Sequence, residues 1–276
     1  MSRRHSFYAR PLLAAVAAVT VLAGTAAAAP SDTSPGRYTA TAAALDDTYY
    51  QDYYQDALGK TGAELKSALH TIISDQTKLS YSQVWDALKA TDEDPANSSN
   101  VVLLYTGRSQ SKNDNGGDSG QWNREHVWAK SHGDFGTATG PGTDVHHLRP
   151  TDVQVNSTRG NKDFDNGGSE LGDAPGNFTD SDSFEPRDEV KGDVARMILY
   201  MSVRYEGNDS FADLEPNDQV NNGSAPKMGK LSVLKQWSQE DPPDTFEKRR
   251  NDVIFDQFQH NRNPFIDHPE WVGAIW

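Results

Sequence analysis

The chain has 276 residues, no cysteine and a net charge of −14 at pH 7. The lack of cysteine excludes disulfides, a thiolate nucleophile and a thiolate zinc site. The acidity argues against a broad basic nucleic-acid footprint, but it leaves room for a small phosphate site bridged by a metal ion.

The first 29 residues are typical of a cleaved secretory signal peptide. Arg3, Arg4 and Arg10 precede a short apolar stretch that ends in TAAAAP, which predicts cleavage near Ala28 or Ala29. The stretch is too short for a permanent membrane anchor. We therefore expect a secreted, extracellular protein that stays off the membrane after signal removal, with a net charge of −14 − 3 = −17.

Residues 30–48 are rich in Pro, Ser, Thr and Ala, which predicts a flexible leader, and we expect order to begin near Tyr49. Two amphipathic helices follow. TGAELKSALHTIISD begins with a capping box at Thr61 and Glu64, and SYSQVWDALKA with one at Ser80 and Gln83. Their predicted apolar faces, interpreted as scaffold, are Leu65, Leu69, Ile72 and Ile73 in the first and Tyr81, Val84, Trp85 and Leu88 in the second.

The apolar run VVLLYT, residues 101–106, predicts a buried strand. A long polar loop, SQSKNDNGGDSG, comes next. Its Asp114, Asn115 and Asp118 make it a candidate for an additional structural Ca²⁺, but the loop does not match the twelve-residue calcium-loop pattern. A solvated loop is the alternative.

Three further helices are predicted in the second half. PRDEVKGDVARMILYMSVRY has the apolar spacing of a core helix, and LSVLKQWSQ and TFEKRRNDVIFDQF are shorter. Lys248, Arg249 and Arg250 in the last of these favour a solvated face over a phosphate-binding patch. The aromatic residues of the ending NRNPFIDHPEWVGAIW are expected to pack the terminus onto the body.

Histidines concentrate in residues 121–165, a segment that opens with QWNREHVWAK. Four of the eight histidines lie there, and five Lys/Arg nearly balance six Asp/Glu, unlike the acidic remainder; the four are His126, His132, His146 and His147. This density indicates a functional site rather than core. The segment predicts a strand (REHVWA), a Gly/Thr-rich loop, a second strand (DVHHLRP) and a helix.

A capping box at Thr151 and Gln154 is expected to open that helix and place Asn156 in its second turn. The Glu125 carboxylate and the Asn156 amide carbonyl are hard oxygen ligands that suit magnesium, calcium or manganese. His126 beside such an ion is suited to take a proton from water, which fits hydrolysis of a phosphodiester with one metal ion. Neighbours on a regular strand face opposite ways, so the strand must kink, bulge or end at this pair.

Alternatives remain open on the residues alone. Histidine and asparagine side chains often have purely structural roles, and His126 and Asn156 could be of this kind. A zinc site is a second possibility, built from His132, His146 and His147 with Asp144, although adjacent histidines on a strand diverge.

The segments WNREHVWAKSHG, TDVHHLRPTDVQVNSTRGNKDFD and FEPRDEVKGDVARMILYMSVRY, in this order, closely resemble the endonuclease I family of secreted and periplasmic nucleases. The resemblance covers nearly all of the chain after Tyr49. It implies an α+β fold, a mixed helical and β body containing a ββα-metal finger motif, with residues 49–276 as one nuclease domain and its metal core at about 121–165. It also implies a monomeric endonuclease that cleaves DNA and RNA without sequence specificity.

The resemblance assigns roles residue by residue. It implies that His126 is catalytic and that Glu125 and Asn156 hold one catalytic Mg²⁺, or Mn²⁺ or Ca²⁺ in its place. Candidates for phosphate binding or support are Arg159, Arg149, Arg124 and His147, with a structural salt bridge as the alternative for each arginine and an orienting role for His147.

Two features depart from well-known members of the family, which are rich in cysteine and tend to be basic. Without disulfides, the chain must draw its stability from core packing or bound ions.

Two other functions stay in competition: a phosphodiesterase for smaller substrates, and a secreted calcium-binding structural or binding protein without catalytic activity.

Overall fold

The computed structural model describes residues 52–276. The signal peptide expected at residues 1–29, the leader expected at 30–48 and the expected start of order near Tyr49 lie outside this range. Within it, helices and short strands form an α+β fold, which confirms the expected fold class. In the same residues, no helix is long and apolar enough to cross a membrane.

The helices and strands have the following bounds. The α-helices of residues 52–276 are α1 (Gly62–Ile73), α2 (Gln83–Thr91), α3 (Val153–Arg159), α4 (Lys191–Arg204), α5 (Leu231–Glu240), α6 (Thr245–Gln257), α7 (Pro264–Asp267) and α8 (Trp271–Ile275). The strands are β1 (Glu93–Asp94), β2 (Asn97–Val102), β3 (Ser109–Ser111), β4 (Trp122–His126), β5 (Leu148–Asp152), β6 (Asp163–Phe164), β7 (Ser169–Glu170), β8 (Phe178–Thr179), β9 (Ser183–Glu185), β10 (Glu215–Pro216) and β11 (Lys227–Met228). Within the described residues, β1–β2–β3 and β6–β9–β8–β7 form separate sheets, and β4–β5 and β10–β11 are two-stranded.

Helix α4 is the centre of the larger hydrophobic core, as its sequence pattern predicts. Every residue after Lys191 in this helix is buried, and α1, α5 and α7 pack around it. The C-terminal aromatics add to the same core, since Phe265 is fully buried and the Trp276 ring lies 5.6 Å from it. Because α4 is buried on all sides, its polar side chains need partners inside the protein. Arg196 of α4, for example, pairs with Glu247.

A smaller core lies between α2, β2, β4, β5 and α6, with Trp122 of β4 and Leu148 of β5 among its buried residues. Val127, which follows β4, and Val155 of α3 belong to the larger core instead. The strand pair β4–β5 and helix α3 are therefore held between two cores, which fixes their position in the fold.

The two predicted N-terminal helices are confirmed as α1 and α2. At the start of α2, the Ser80 N–H donates to Gln83 Oε1 at 2.8 Å and the Gln83 N–H donates to Ser80 Oγ at 3.4 Å, so this capping box forms. Thr61 is the N-cap of α1, but its side chain makes no capping hydrogen bond. The capping box predicted at Thr61 and Glu64 is therefore wrong, although the helix begins where it was predicted.

The strand predicted at residues 101–106 is wrong in its position. Strand β2 ends at Val102, and the chain then turns so that Leu103 N–H bonds to the Arg108 carbonyl and Gly107 N–H to the Leu103 carbonyl. Leu103, Leu104 and Tyr105 are nevertheless fully buried. An apolar run reports burial, and here a buried turn meets the same condition as a buried strand.

Buried ion pairs join the elements in this cysteine-free chain. Asp92 is fully buried and accepts from Arg149 Nε at 2.6 Å and Arg250 Nε at 3.2 Å. Arg196 of α4 forms a bidentate pair with Glu247 of α6, at 2.7 and 2.6 Å. The solvated face predicted for the basic run of α6 is therefore wrong for Arg250, which the Asp92 carboxylate neutralises inside the fold, whereas Lys248 is exposed as predicted.

We predict that Asp92→Asn lowers the free energy of unfolding by about 3–5 kcal/mol, because it leaves two buried guanidinium groups with too little negative charge. The matched control is Glu189→Gln, whose carboxylate is 73% exposed in its ion pair with Arg187 and should change stability by no more than about 0.5 kcal/mol. Urea unfolding of both variants measures the difference. Equal stabilities would show that the Asp92 cluster does not hold the fold.

Candidate active site

Strands β4 and β5 pair antiparallel, with Glu125 opposite Arg149 and His126 opposite Leu148. Strand β4 ends at His126, which meets the condition that the sequence set for Glu125 and His126 to share a site. Helix α3 begins directly after β5 and packs on both strands. The order strand, strand, helix is as predicted, although β5 begins four residues later than the predicted second strand.

A cleft of about 860 Å³ opens beside this unit. Glu125, His126 and Asn156 all line it. The residues lining it are Tyr81, Trp85, Gly116, Gly117, Asn123, Arg124, Glu125, His126, Ala129, Lys130, Ser131, Asn156, Ser157, Gly160 and Asn161.

Glu125 is buried, and its carboxylate is held by Tyr105, Arg159 and the backbone N–H of His126. Its Oε1 accepts from the Tyr105 hydroxyl at 2.8 Å and lies 3.1 Å from Arg159 Nη1. Burial raises the pKa of the Glu125 carboxyl, while Arg159 and the Tyr105 hydrogen bond act in the opposite direction. Both of these side-chain contacts use Oε1 rather than Oε2.

His126 is 6% exposed, and its Nε2 lies 3.1 Å from the Gly142 carbonyl oxygen. A carbonyl oxygen can only accept, so this contact places the ring proton on Nε2 and leaves the lone pair on Nδ1. Burial lowers the pKa of His126 well below its usual value, and nearby His147 adds to the effect. A Cβ at position 142 would lie 2.7 Å from the Thr137 backbone, so the chain can pass this close to Thr137 only with glycine there.

His147 lies behind His126, with ring centroids 5.6 Å apart in an edge-to-face contact. Its Nε2 donates to the Pro141 carbonyl at 2.7 Å, and its Nδ1 accepts from the Trp128 N–H at 3.3 Å. Burial lowers the pKa of His147 to about 4. With both nitrogens bonded, His147 packs against the His126 ring and has no free group for the cleft.

Asn156 is the fourth residue of α3. Its Nδ2 donates to Asn123 Oδ1 at 2.7 Å, which leaves the Asn156 carbonyl oxygen free. The N-cap of α3 is Asp152, whose side chain accepts from the Gln154 and Val155 N–H groups. The capping box predicted from Thr151 is therefore wrong by one residue, since a carboxylate that can accept both bonds stands next to that threonine.

The three candidate arginines have different surroundings. Arg159 is 1% exposed, and it donates to the carbonyls of His126 and Val127 at 2.8 and 2.7 Å as well as pairing with Glu125. Arg149 is 2% exposed and pairs with Asp92 and Asp193. Of the three, only Arg124 lines the cleft.

The donors present fit a hard divalent cation with few protein ligands. Glu125 offers one carboxylate oxygen and Asn156 one amide oxygen in the same cleft, and Mg²⁺ usually keeps several waters beside one or two carboxylates. In residues 52–276, no group of three or more His, Asp or Glu side chains is placed to hold a metal. His146 and His132 are instead bonded to Asn261 and to the Lys227 carbonyl, so the zinc alternative has no cluster here.

Sequence reasoning missed two aromatic residues of the cleft. Tyr81 and Trp85 were predicted as part of the packing face of α2, but both are partly exposed and line the cleft, whereas Val84 and Leu88 are fully buried. Their spacing fits both roles. The two roles can be distinguished only in the structure, where Arg124 lies between the strand pair and α2.

The sequence is similar to those of known nucleases. The sequence model of the endonuclease I family, described as "Endonuclease I", matches residues 61–270. An "Extracellular ribonuclease" from Bacillus amyloliquefaciens is 70% identical over 226 residues, which cover 82% of this chain and 78% of the relative. An "Extracellular ribonuclease" from Bacillus subtilis (strain 168) is 68% identical over 224 residues, covering 81% and 78%.

We predict that Arg159→Met lowers the free energy of unfolding by about 3–5 kcal/mol, because it leaves buried Glu125 without its ion pair. Arg124→Met is the matched control. It removes contacts with two aromatic rings and one hydrogen bond to the Tyr81 carbonyl, but no ion pair, and should cost about 1–2 kcal/mol. Urea unfolding compares the two, and similar small losses would show that Arg159 does not hold the end of β4.

Proposed function

The chain belongs to the endonuclease I family, and from this premise we propose that it is a secreted, divalent-metal-dependent endonuclease that hydrolyses phosphodiester bonds of RNA and DNA without sequence specificity. The names of the two Bacillus relatives support secretion and RNA as a substrate. We propose further that it acts as a monomer, as the family resemblance implies.

One observation carries the proposal: His126, Glu125 and Asn156 line a single cleft, with the accepting nitrogen of His126 not bonded to Gly142. A general base needs a lone pair within reach of the attacking water. The Gly142 carbonyl holds the proton on Nε2, so Nδ1 takes the proton of that water as it attacks phosphorus. The bond between phosphorus and the departing oxygen breaks in the same step, that oxygen takes a proton from solvent, and Nδ1 afterwards returns its own proton to solvent.

The cation is proposed to bind at Glu125 Oε2 and the Asn156 carbonyl oxygen. When bound, Mg²⁺ or a similar ion would withdraw charge from the phosphate and stabilise the departing oxygen. Tyr105 and Arg159 hold the Glu125 carboxylate in place from the other side, through Oε1. The NH₂ group of Asn156 donates to Asn123, which holds the amide in place with the Asn156 carbonyl oxygen pointing away from that bond.

The direct test is digestion of an RNA and a plasmid DNA with added Mg²⁺, with EDTA, and with Mg²⁺ restored. We expect cleavage of both substrates, loss of cleavage in EDTA and its recovery with the ion. A protein that binds calcium without catalysis would cleave neither substrate. Cleavage of small phosphodiesters alone would favour the competing phosphodiesterase.

We predict that His126→Ala lowers kcat by about 10²–10⁴-fold, the usual contribution of a general base, and leaves metal affinity nearly unchanged. His70→Ala, which removes a histidine outside the cleft, should cleave as the wild type does. Initial rates on RNA at saturating Mg²⁺ give the comparison. Turnover near the wild-type value in His126→Ala contradicts the assignment of the base.

We predict that Asn156→Ala raises the Mg²⁺ concentration for half-maximal activity by about tenfold or more, with activity recovered at high ion concentration. Asn156→Asp, which keeps an oxygen donor, is the control. Its Mg²⁺ concentration for half-maximal activity should be equal to that of the wild type or lower. Asn156 is a cleaner test than Glu125, whose removal also leaves Arg159 unpaired. If Asn156→Ala binds metal normally but is inactive at every concentration, Asn156 is not a ligand.

A further inference from the structure

Arg124 differs from the other arginines in residues 52–276. Each of the other nine has a carboxylate oxygen within 4.0 Å, whereas no such partner lies near Arg124 in that part of the chain; the nine are Arg108, Arg149, Arg159, Arg187, Arg196, Arg204, Arg249, Arg250 and Arg262. In a chain with 40 acidic residues, an arginine kept from carboxylates is unusual.

Two aromatic rings hold Arg124 at the wall of the cleft. Its guanidinium carbon lies 3.4 Å from the centroid of the Tyr81 ring and 4.0 Å from that of Trp85. The rings of Trp122 and Trp85 pack edge to face, with centroids 5.3 Å apart. The guanidinium plane therefore has little freedom to rotate.

Most donors of Arg124 remain available. Its Nη1 donates to the Tyr81 carbonyl, and its other contacts are with the Tyr81 and Trp85 side chains. A guanidinium carries five N–H groups in a planar fork and stays charged at any ordinary pH. The free edge of the fork lies in the same cleft as His126, whose ring stacks on Tyr81 at 5.9 Å.

We propose that Tyr81, Arg124 and Trp85 form a phosphate clamp, in which the rings fix the guanidinium to bind a backbone phosphate next to the one that is cut. The proposal rests on the proposed nuclease function and adds to it the residues that hold the strand. Arginine binds phosphate through two parallel N–H groups, which lysine cannot do. Fixing the fork beforehand lowers the entropy lost on binding.

Binding of a short single-stranded oligonucleotide to the His126→Ala protein tests the charge of Arg124. Anisotropy is measured with sodium chloride varied at fixed Ca²⁺. Arg124→Gln should weaken binding by about tenfold and reduce the slope of log K against log salt by about 0.7, the value for one phosphate on a single strand. Lys248→Gln, which removes one exposed charge outside the cleft, should change neither.

The geometry is tested separately from the charge. Arg124→Lys should keep the wild-type salt slope but lose about tenfold in affinity, since it keeps the charge and loses the fork. Tyr81→Leu and Trp85→Leu should behave in the same way, and Tyr81→Phe should restore binding. In the cleavage assay with His126 present, Arg124→Lys, Tyr81→Leu and Trp85→Leu should each raise KM far more than they lower kcat.

The outcomes separate this proposal from the nuclease assignment. If the wild type cleaves RNA and DNA but Arg124→Gln keeps its affinity and salt slope, the clamp is wrong and the nuclease function stands. If Arg124→Gln has its effect but Tyr81→Leu and Trp85→Leu do not, the rings do not position Arg124. If the His126→Ala protein binds no oligonucleotide and the wild type cleaves none, both proposals are wrong.

Discussion

The candidate site depends on how Arg159 terminates β4. Where a strand ends inside a protein, its carbonyl groups lose their pairing partners and must find other donors. Arg159 donates to the carbonyls of His126 and Val127 and pairs with Glu125, so one buried side chain fixes the strand end and one cation ligand together. Because the strand stops there, two adjacent residues line the same cleft.

The net acidity of the chain does not describe the surface that meets the substrate. Asp92, Asp193 and Glu247 are buried and neutralise arginines inside the fold, where their charge has little influence on the cleft. The cleft lining itself contains Arg124 and Lys130 against the single carboxylate of Glu125. A divalent ion would add further positive charge in the same place, so an acidic protein is compatible with an anionic substrate.

Local patterns in the sequence predicted what depends on local interactions. The core helix α4, the capping box at Ser80 and Gln83 and the strand, strand, helix order all follow from spacing within about 20 residues. Long-range pairing lay beyond such patterns. Nothing near Arg159 in sequence shows that it meets Glu125, 34 residues earlier, and nothing near Tyr81 shows that it meets Arg124, 43 residues later.

The back of the strand pair shows how a chain without disulfides keeps such a site rigid. Arg149 stands opposite Glu125 in the β4–β5 register, but it pairs with Asp92 and Asp193 and so ties β5 to the central helix α4. Arg250 joins the same Asp92 and donates to the carbonyls of Val145 and Leu148 at the start of β5. Buried charges of this kind hold position strongly only while every partner is present. The arginines behind the strands are therefore committed to the fold, whereas Arg124 lines the cleft and has no carboxylate partner within 4.0 Å among residues 52–276.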